Sequence, residues 1–327
     1  MARLNCMDMN KKGLFFTFIA ISILTLMFLS IMGGYSVRNY HGEVVKAQYD
    51  VLDSHNSNLK SYARNLLFVQ SKKAFTDLLS YTESSGPIDN VTLRFEELVM
   101  NATLFDSSVN APSMDNRGFR DWTLTMDEKA EEFLLLESNM DIVDPRPVQH
   151  SPWRVTIYAD VVINTSKGNL SYDARETVNI TLSILGWNDP LYYHNNLENI
   201  INITSVFDFD QVSTFEMLEQ RTYRHNHYAP NFLQRLENST SSSNCCGIES
   251  LVHAGEDYFN ITSMYQYNRS YVDHLFWSKN RSCEVGDQPL FTFNYISNQE
   301  EAIGFKLDSV YMSIYGMNET DAIEQIC

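Results

Sequence analysis

Between Leu14 and Met32 the chain reads LFFTFIAISILTLMFLSIM, nineteen residues without a charge. No other stretch limits the possible folds as much. As a helix it is roughly 28 Å long, close to the ~30 Å hydrocarbon core of a bilayer. Its polar members, Thr17, Ser22, Thr25 and Ser30, can bond back to helix carbonyls. The run is too long and too unbroken for a buried helix of a soluble protein. A cleaved secretory signal has an apolar core of about 7–15 residues and a small-residue cleavage site. Ile31-Met32-Gly33-Gly34-Tyr35 is a poor site of that kind. The expectation is therefore a cytoplasmic basic leader over residues 1–12 and a transmembrane helix over 13–33, with the bilayer as the first partner.

Orientation follows from the flanks. Arg3, Lys11 and Lys12 precede the span, whereas residues 34–50 balance Arg38 and Lys46 against Glu43 and Asp50. The positive-inside bias keeps the N-terminus in the cytoplasm and places the bulk of the chain outside the cell. The twelve residues before the span are too few to fold as a signalling domain. The whole chain carries a net charge of −17. A surface that acidic repels phosphate backbones, and no basic stripe stands out, which excludes nucleic acid as a partner. Hydrophobic content of 44% and aromatic content of 13% are enough for a sizeable core.

Lys11-Lys12-Gly13 followed directly by the apolar run resembles the leader of archaeal type IV pilins and pilin-like proteins. The resemblance covers residues 1 to about 35. It implies a prepilin-type peptidase as partner, cutting between Gly13 and Leu14 next to Lys12 and leaving the helix attached, with other pilin-like subunits as neighbours. Phe18 stands where that family carries Glu, five residues past the cut, and Phe15 is bulkier than its usual second residue. An uncleaved signal anchor is the alternative. Two further segments, Gly186–Tyr192 and Cys245–Leu251, are similar to stretches in uncharacterised archaeal membrane-anchored proteins and imply no activity.

Beyond the membrane, Val45, Tyr49, Leu52, Asn56, Leu59, Ala63, Leu66 and Gln70 alternate by four and three, a heptad-like stripe with polar interruptions. No proline occurs before Ser84-Ser85-Gly86-Pro87, so the span can continue as a helical stalk over residues 34–85. The stripe reads either as a self-association seam or as a face packed on its own domain. Met126 to Leu136 reads as a helix, and Pro145, Pro147 and Pro152 punctuate the way out. Then the period changes to two. Val155, Ile157, Ala159, Val161 and Ile163, and later Val178, Ile180, Leu182 and Ile184, alternate with polar residues. They predict an antiparallel strand pair joined by a polar loop from Asn164 to Asp173. Shorter β-like runs lie at Tyr271–Phe276, Leu290–Ile296 and Phe305–Ile314, with Phe291, Phe293 and Tyr295 on one face. Residues 86–327 therefore read as one β-rich α+β, sandwich-like ectodomain.

Eleven N-x-S/T sequons follow the apolar run, at Asn90, Asn101, Asn164, Asn169, Asn179, Asn202, Asn238, Asn260, Asn268, Asn280 and Asn318. They suit a glycosylated, outward-facing domain. Cys6 precedes the span; Cys245, Cys246, Cys283 and Cys327 follow it, where an oxidising compartment allows disulfides. The expectation is that Cys245 and Cys246 each pair with Cys283 or Cys327.

His225-Asn226-His227 is the one local pattern with metal-ligand spacing, and Asp208 with Asp210 could add oxygens. His253 with Glu256 does not form H-E-x-x-H, and no G-x-S-x-G, P-loop, G-x-G-x-x-G or EF-hand spacing occurs. No residue stands out as catalytic, and no cofactor is expected. The composite expectation is an anchored surface glycoprotein with a structural, adhesive or minor pilin-like role. The alternatives are a tethered sensor or solute-binding ectodomain, or an anchored metallohydrolase built on His225 and His227.

Overall fold

The computed structural model describes residues 8–106, 108–194, 202–204, 214–252, 269–278, 289–296 and 302–326. Within the first helix it describes the side chains of residues 21–30 and from 43 onward. The architecture is α+β with antiparallel sheets.

Helix α1 runs unbroken from Asp8 to Ser85, 78 residues and about 117 Å. It stops where the sequence predicts. Gly86 takes φ +109°, a conformation open to glycine, and Pro87 has no N–H to extend the ladder. From Leu52 onward α1 is part of the folded head: Leu52, Leu59, Ala63, Leu66, Leu67, Ala74, Phe75 and Leu78 are buried at helical spacing.

The heptad-like stripe divides at this point. Val45 and Tyr49 are exposed, whereas Leu52, Asn56, Leu59, Ala63, Leu66 and Gln70 are buried against the chain's own head. From Leu52 on, the seam is therefore intramolecular, and residues 52–85 are core rather than free stalk. Each polar interruption makes one hydrogen bond, while Asn56 Nδ2 and Gln70 Oε1 have no partner among the described residues. Asn56 Oδ1 accepts from Thr165 Oγ1 at 2.8 Å, and Gln70 Nε2 donates to the Arg117 carbonyl at 3.2 Å. The first ties the helix to a strand and the second to the segment before Phe119.

Helix α2 (Val91–Asn101) starts on Asn90, whose Oδ1 accepts from the Leu93 N–H. Helix α3 (Phe119–Leu134) is longer at its start than the sequence predicts, with Asp121 capping the Gly118 N–H. Strands β1 (Glu137–Ser151), β2 (Arg154–Lys167) and β3 (Leu170–Ser183) form one antiparallel sheet with β2 in the middle. The predicted β2–β3 pair is present, with Ile157 opposite Ile180 and Tyr158 opposite Asn179.

The loop predicted from Asn164 to Asp173 is absent. The strands continue, Asn164 opposite Asp173, to a tight turn at Gly168 and Asn169. Backbone pairing does not require apolar side chains, and Gly168 at φ +61° supplies the first central position of a II′-type turn. Strand β1 was hidden by its prolines. It is an edge strand whose register shifts between Val143 and Arg146, and edges and bulges are where proline is tolerated.

The sandwich expectation is also corrected. Ile157, Val161, Val178 and Leu182 on the inner face share one core with α1, and it is α1 that packs on β2 and β3. A helix with an apolar face satisfies a sheet as well as a second sheet does.

The rest of the head is built from short elements: α4 (Pro190–Tyr193), α5 (Thr214–Gln220), β4 (Arg224–His225), α6 (Phe232–Leu236), β5 (Ile248–Glu249), α7 (Asp273–Trp277), β6 (Leu290–Ile296), β7 (Ala302–Asp308), α8 (Ser309–Ile314) and β8 (Glu324–Ile326). Strand β6 is where the sequence predicts it, paired with β7 and β8. The run Tyr271–Phe276 is not a strand but leads into helix α7. Periodicity alone cannot separate helix from strand in so short an apolar run. The run Phe305–Ile314 changes from strand to helix at Asp308, whose Oδ1 accepts from the Val310 and Tyr311 N–H groups. Phe291 and Phe293 are buried; the side chain of Tyr295 lies outside the described residues.

Candidate functional site

The feature that sets this chain apart from a plain globular head is the part of α1 that precedes it. Seven of the nine positions 21–29 are large apolar residues, and all seven are exposed. Ile21, Leu24, Leu26, Met27 and Leu29 lie at 61–69%. At 100° per residue this run covers every face of the helix, so no single neighbour in the head could bury it. Thr25 Oγ1 donates back to the Ile21 carbonyl at 2.7 Å, as the sequence predicts for a hydroxyl in an apolar helix. Among the described residues no helix is long and apolar enough to cross a membrane. The side chains of Leu14 to Ala20 and of Ile31 and Met32 lie outside them, as does that of Lys12 next to the predicted cleavage point.

Exposure is shared by the sequon asparagines and by others without a sequon, such as Asn58, Asn65, Asn110, Asn116 and Asn139. Asn90, Asn101, Asn164, Asn169, Asn179, Asn202, Asn238 and Asn318 are all exposed. Asn56 and Asn226, which carry no sequon, are buried. Asn260, Asn268 and Asn280 lie outside the described residues.

A network of charged side chains is sealed inside the head. Arg235, on α6, has no exposed surface. Its Nη1 donates to Asp189 Oδ2 at 2.6 Å and its Nη2 to Asp273 Oδ2 at 2.9 Å and to the Ile248 carbonyl. Tyr223 donates to Asp189, and the Ser250 N–H and hydroxyl donate to Asp273. Burial works against the Arg235 charge, but the two carboxylates outweigh it and hold the guanidinium protonated above its ordinary range. Burial pushes Asp189 up. Burial acts the same way on Asp273, but Arg235 and His274 overcome it and hold that carboxyl below its usual range.

Beside this network Glu249 is buried on β5 and is pushed up to about 7 by burial. It accepts from Asn226 Nδ2 at 2.8 Å and from the Tyr315 hydroxyl at 3.1 Å, with Arg224 Nε at 3.5 Å. Groups this deeply enclosed tie segments together; a substrate has no surface on them to touch.

His225 and His227 are exposed on and just after β4, with ring centroids 6.5 Å apart. His225 Nε2 lies 2.8 Å from the Cys245 carbonyl oxygen, so that nitrogen is already engaged by the backbone. Among the described residues no group of three or more His, Cys, Asp or Glu could hold a metal. Asp208, Asp210, His253 and Glu256 lie outside them.

The cysteine expectation is overturned. Cys245 and Cys246 are bonded to each other rather than to Cys283 or Cys327. The physical cause is the turn that carries them. Ser243 N–H donates to the Ala229 carbonyl and Asn244 N–H to that of His227, while Asn226 N–H donates to the Gly247 carbonyl. Gly247 sits too close to the Ala229 carbonyl for any Cβ. Both sulfurs thereby lie beside the Gln149 carbonyl, at 3.9 and 2.9 Å. Cys6, Cys283 and Cys327 lie outside the described residues.

Sequence reasoning did not find Arg235, Asp189, Asp273 or Glu249. Asn188-Asp189-Pro190 reads as a turn, and Asp189 does cap α4 through Leu191 N–H, but its other oxygen takes the guanidinium. A lone arginine within the apolar stretch Phe232-Leu233-Gln234-Arg235-Leu236 was the available signal. No family model, no curated protein and no solved structure matches the chain.

Proposed function

We propose that this chain is a single-pass, membrane-anchored, N-glycosylated surface protein with a structural or adhesive role, of the kind a minor pilin-like subunit plays. The observation that carries the reading is the continuity of α1. One helix of 78 residues joins the uncharged run at one end to the core of an α+β head at the other. Exposed apolar side chains on every face of positions 21–29 suit hydrocarbon and do not suit water. Further support comes from the exposure of all eight described sequon asparagines. In this reading the bilayer holds the first third of α1, the cell exterior holds the head, and a rigid helix sets the distance between them.

Processing distinguishes a pilin-like leader from an ordinary anchor. The chain isolated from its own membranes should begin at Leu14 by mass spectrometry, and Gly13→Val should leave the precursor uncut. A mature chain that retains Met1 or Ala2 would remove the pilin-like part of the reading and leave the anchor.

A further inference from the structure

The sequon asparagines differ in what their amides already do. Asn90 Oδ1 caps α2 and Asn101 Oδ1 accepts from Arg120. The Asn164 amide nitrogen, in the orientation that satisfies both ends, donates to the Ile163 carbonyl and to Asp173. Asn179 stands opposite Tyr158 in the β2–β3 register. Its chain neighbours Val178 and Ile180 are buried, as are Ile157 and Ala159 beside Tyr158. Alternation along each strand therefore puts Asn179 and Tyr158 together on the outer face.

Directly paired residues on one face have Cβ atoms about 4.5–5.5 Å apart. A sugar attached to Asn179 Nδ2 thus starts within reach of the Tyr158 ring. On the β1 side His150 meets that ring edge-on, with centroids 6.4 Å apart, which limits where it can turn. The sequon threonine, Thr181, is opposite Thr156, with the two hydroxyl oxygens 3.3 Å apart. The face around the site is polar, with Arg175 and Thr177 both donating to the Asp160 carboxylate.

We propose that Asn179 is glycosylated and that its first sugar packs the apolar face of its ring on Tyr158. This rests on the outward-facing reading above. The donor class is an oligosaccharide linked through phosphate to a lipid. The Asn179 amide nitrogen attacks the anomeric carbon, the N–C bond forms and the anomeric C–O bond breaks. The lipid phosphate leaves with that electron pair, and the amide gives up one proton. The sugar then covers the part of the half-buried Tyr158 ring that still faces water, at a cross-strand pair of the β2–β3 register.

The test uses full-length chain purified from its own membranes. Glycopeptide mass spectrometry should find Asn179 occupied. Deglycosylating the wild type should lower Tm by about 1–3 °C, the range expected for one cross-strand contact in a domain this size. In Tyr158→Ala, with the glycan still attached, deglycosylation should leave Tm unchanged, and Tyr158→Phe should behave as the wild type. Asn179 bare while other sequons are occupied overturns this inference alone. A chain bare at every sequon overturns it together with the glycoprotein reading. An equal loss of Tm in Tyr158→Ala overturns the stacking.

Discussion

Arg235→Ala should destabilise the head by about 3–5 kcal/mol, the usual result of removing one partner from a buried ion pair. Net stability of a domain is only about 5–15 kcal/mol, so a large part of the margin is lost. The reason is local. The substitution leaves Asp189 and Asp273 as two carboxylates without exposed surface, together with the Ile248 carbonyl that Arg235 served. The damage spreads because these groups sit on α4, β5 and α7, far apart in sequence. Urea unfolding of the solubilised full chain measures it as a lower midpoint.

The pH dependence of that variant has a definite sign. Without the guanidinium both carboxyls prefer the neutral form, so the gap to the wild type should narrow as pH falls from 7 towards 4. Asp189→Asn with Asp273→Asn in the same chain should recover part of the loss. A midpoint within a few tenths of a molar of the wild type would show that the network carries little.

Glu249 gives the second large effect, with the opposite character. Its unfolded pKa is near 4.5 and its folded value is about 7, so the folded state holds the proton more tightly. The contribution to stability is fully present below pH 4.5 and is lost as pH rises through 7. At about 1.4 kcal/mol per unit, the span is about 3 kcal/mol. Glu249→Gln keeps the size and removes the charge. It should match the wild type near pH 4.5 and exceed its stability at pH 8. Parallel stability curves for the two proteins across pH 4.5–8 would contradict the burial argument. The comparison between them cancels the other groups that titrate in this range, such as the half-buried His194, whose pKa burial lowers.

Much of the backbone was legible because period and punctuation report local physics. Ser85-Gly86-Pro87 ends a helix by backbone geometry alone, and the alternation at 155–163 and 178–184 fixes a strand pair. Strand β1 was not legible, since Pro145 and Pro147 argue against a strand unless it is known to be an edge with bulges. The interior network was hidden for another reason. Arg235 meets Asp189 and Asp273 across separations of 46 and 38 residues, and no local pattern encodes such a meeting. The stripe on α1 left two partners open, a second copy or its own domain; from Leu52 on the partner is the chain's own head, while Val45 and Tyr49 stay exposed. Adjacent cysteines showed the limit most plainly, because no local pattern separates a bond between neighbours from bonds to Cys283 or Cys327.

The central claim is that α1 anchors the chain with the head outside. It is tested most directly by adding protease to intact cells expressing the Gly13→Val chain, which keeps an N-terminal tag whether or not a leader peptidase acts, followed by detection of both ends. The account predicts that the region after about Gly33 is digested while the tag and the apolar run stay protected until the membrane is dissolved. A tag removed from intact cells with the head spared, or full-length chain recovered in the soluble fraction after lysis, would contradict it.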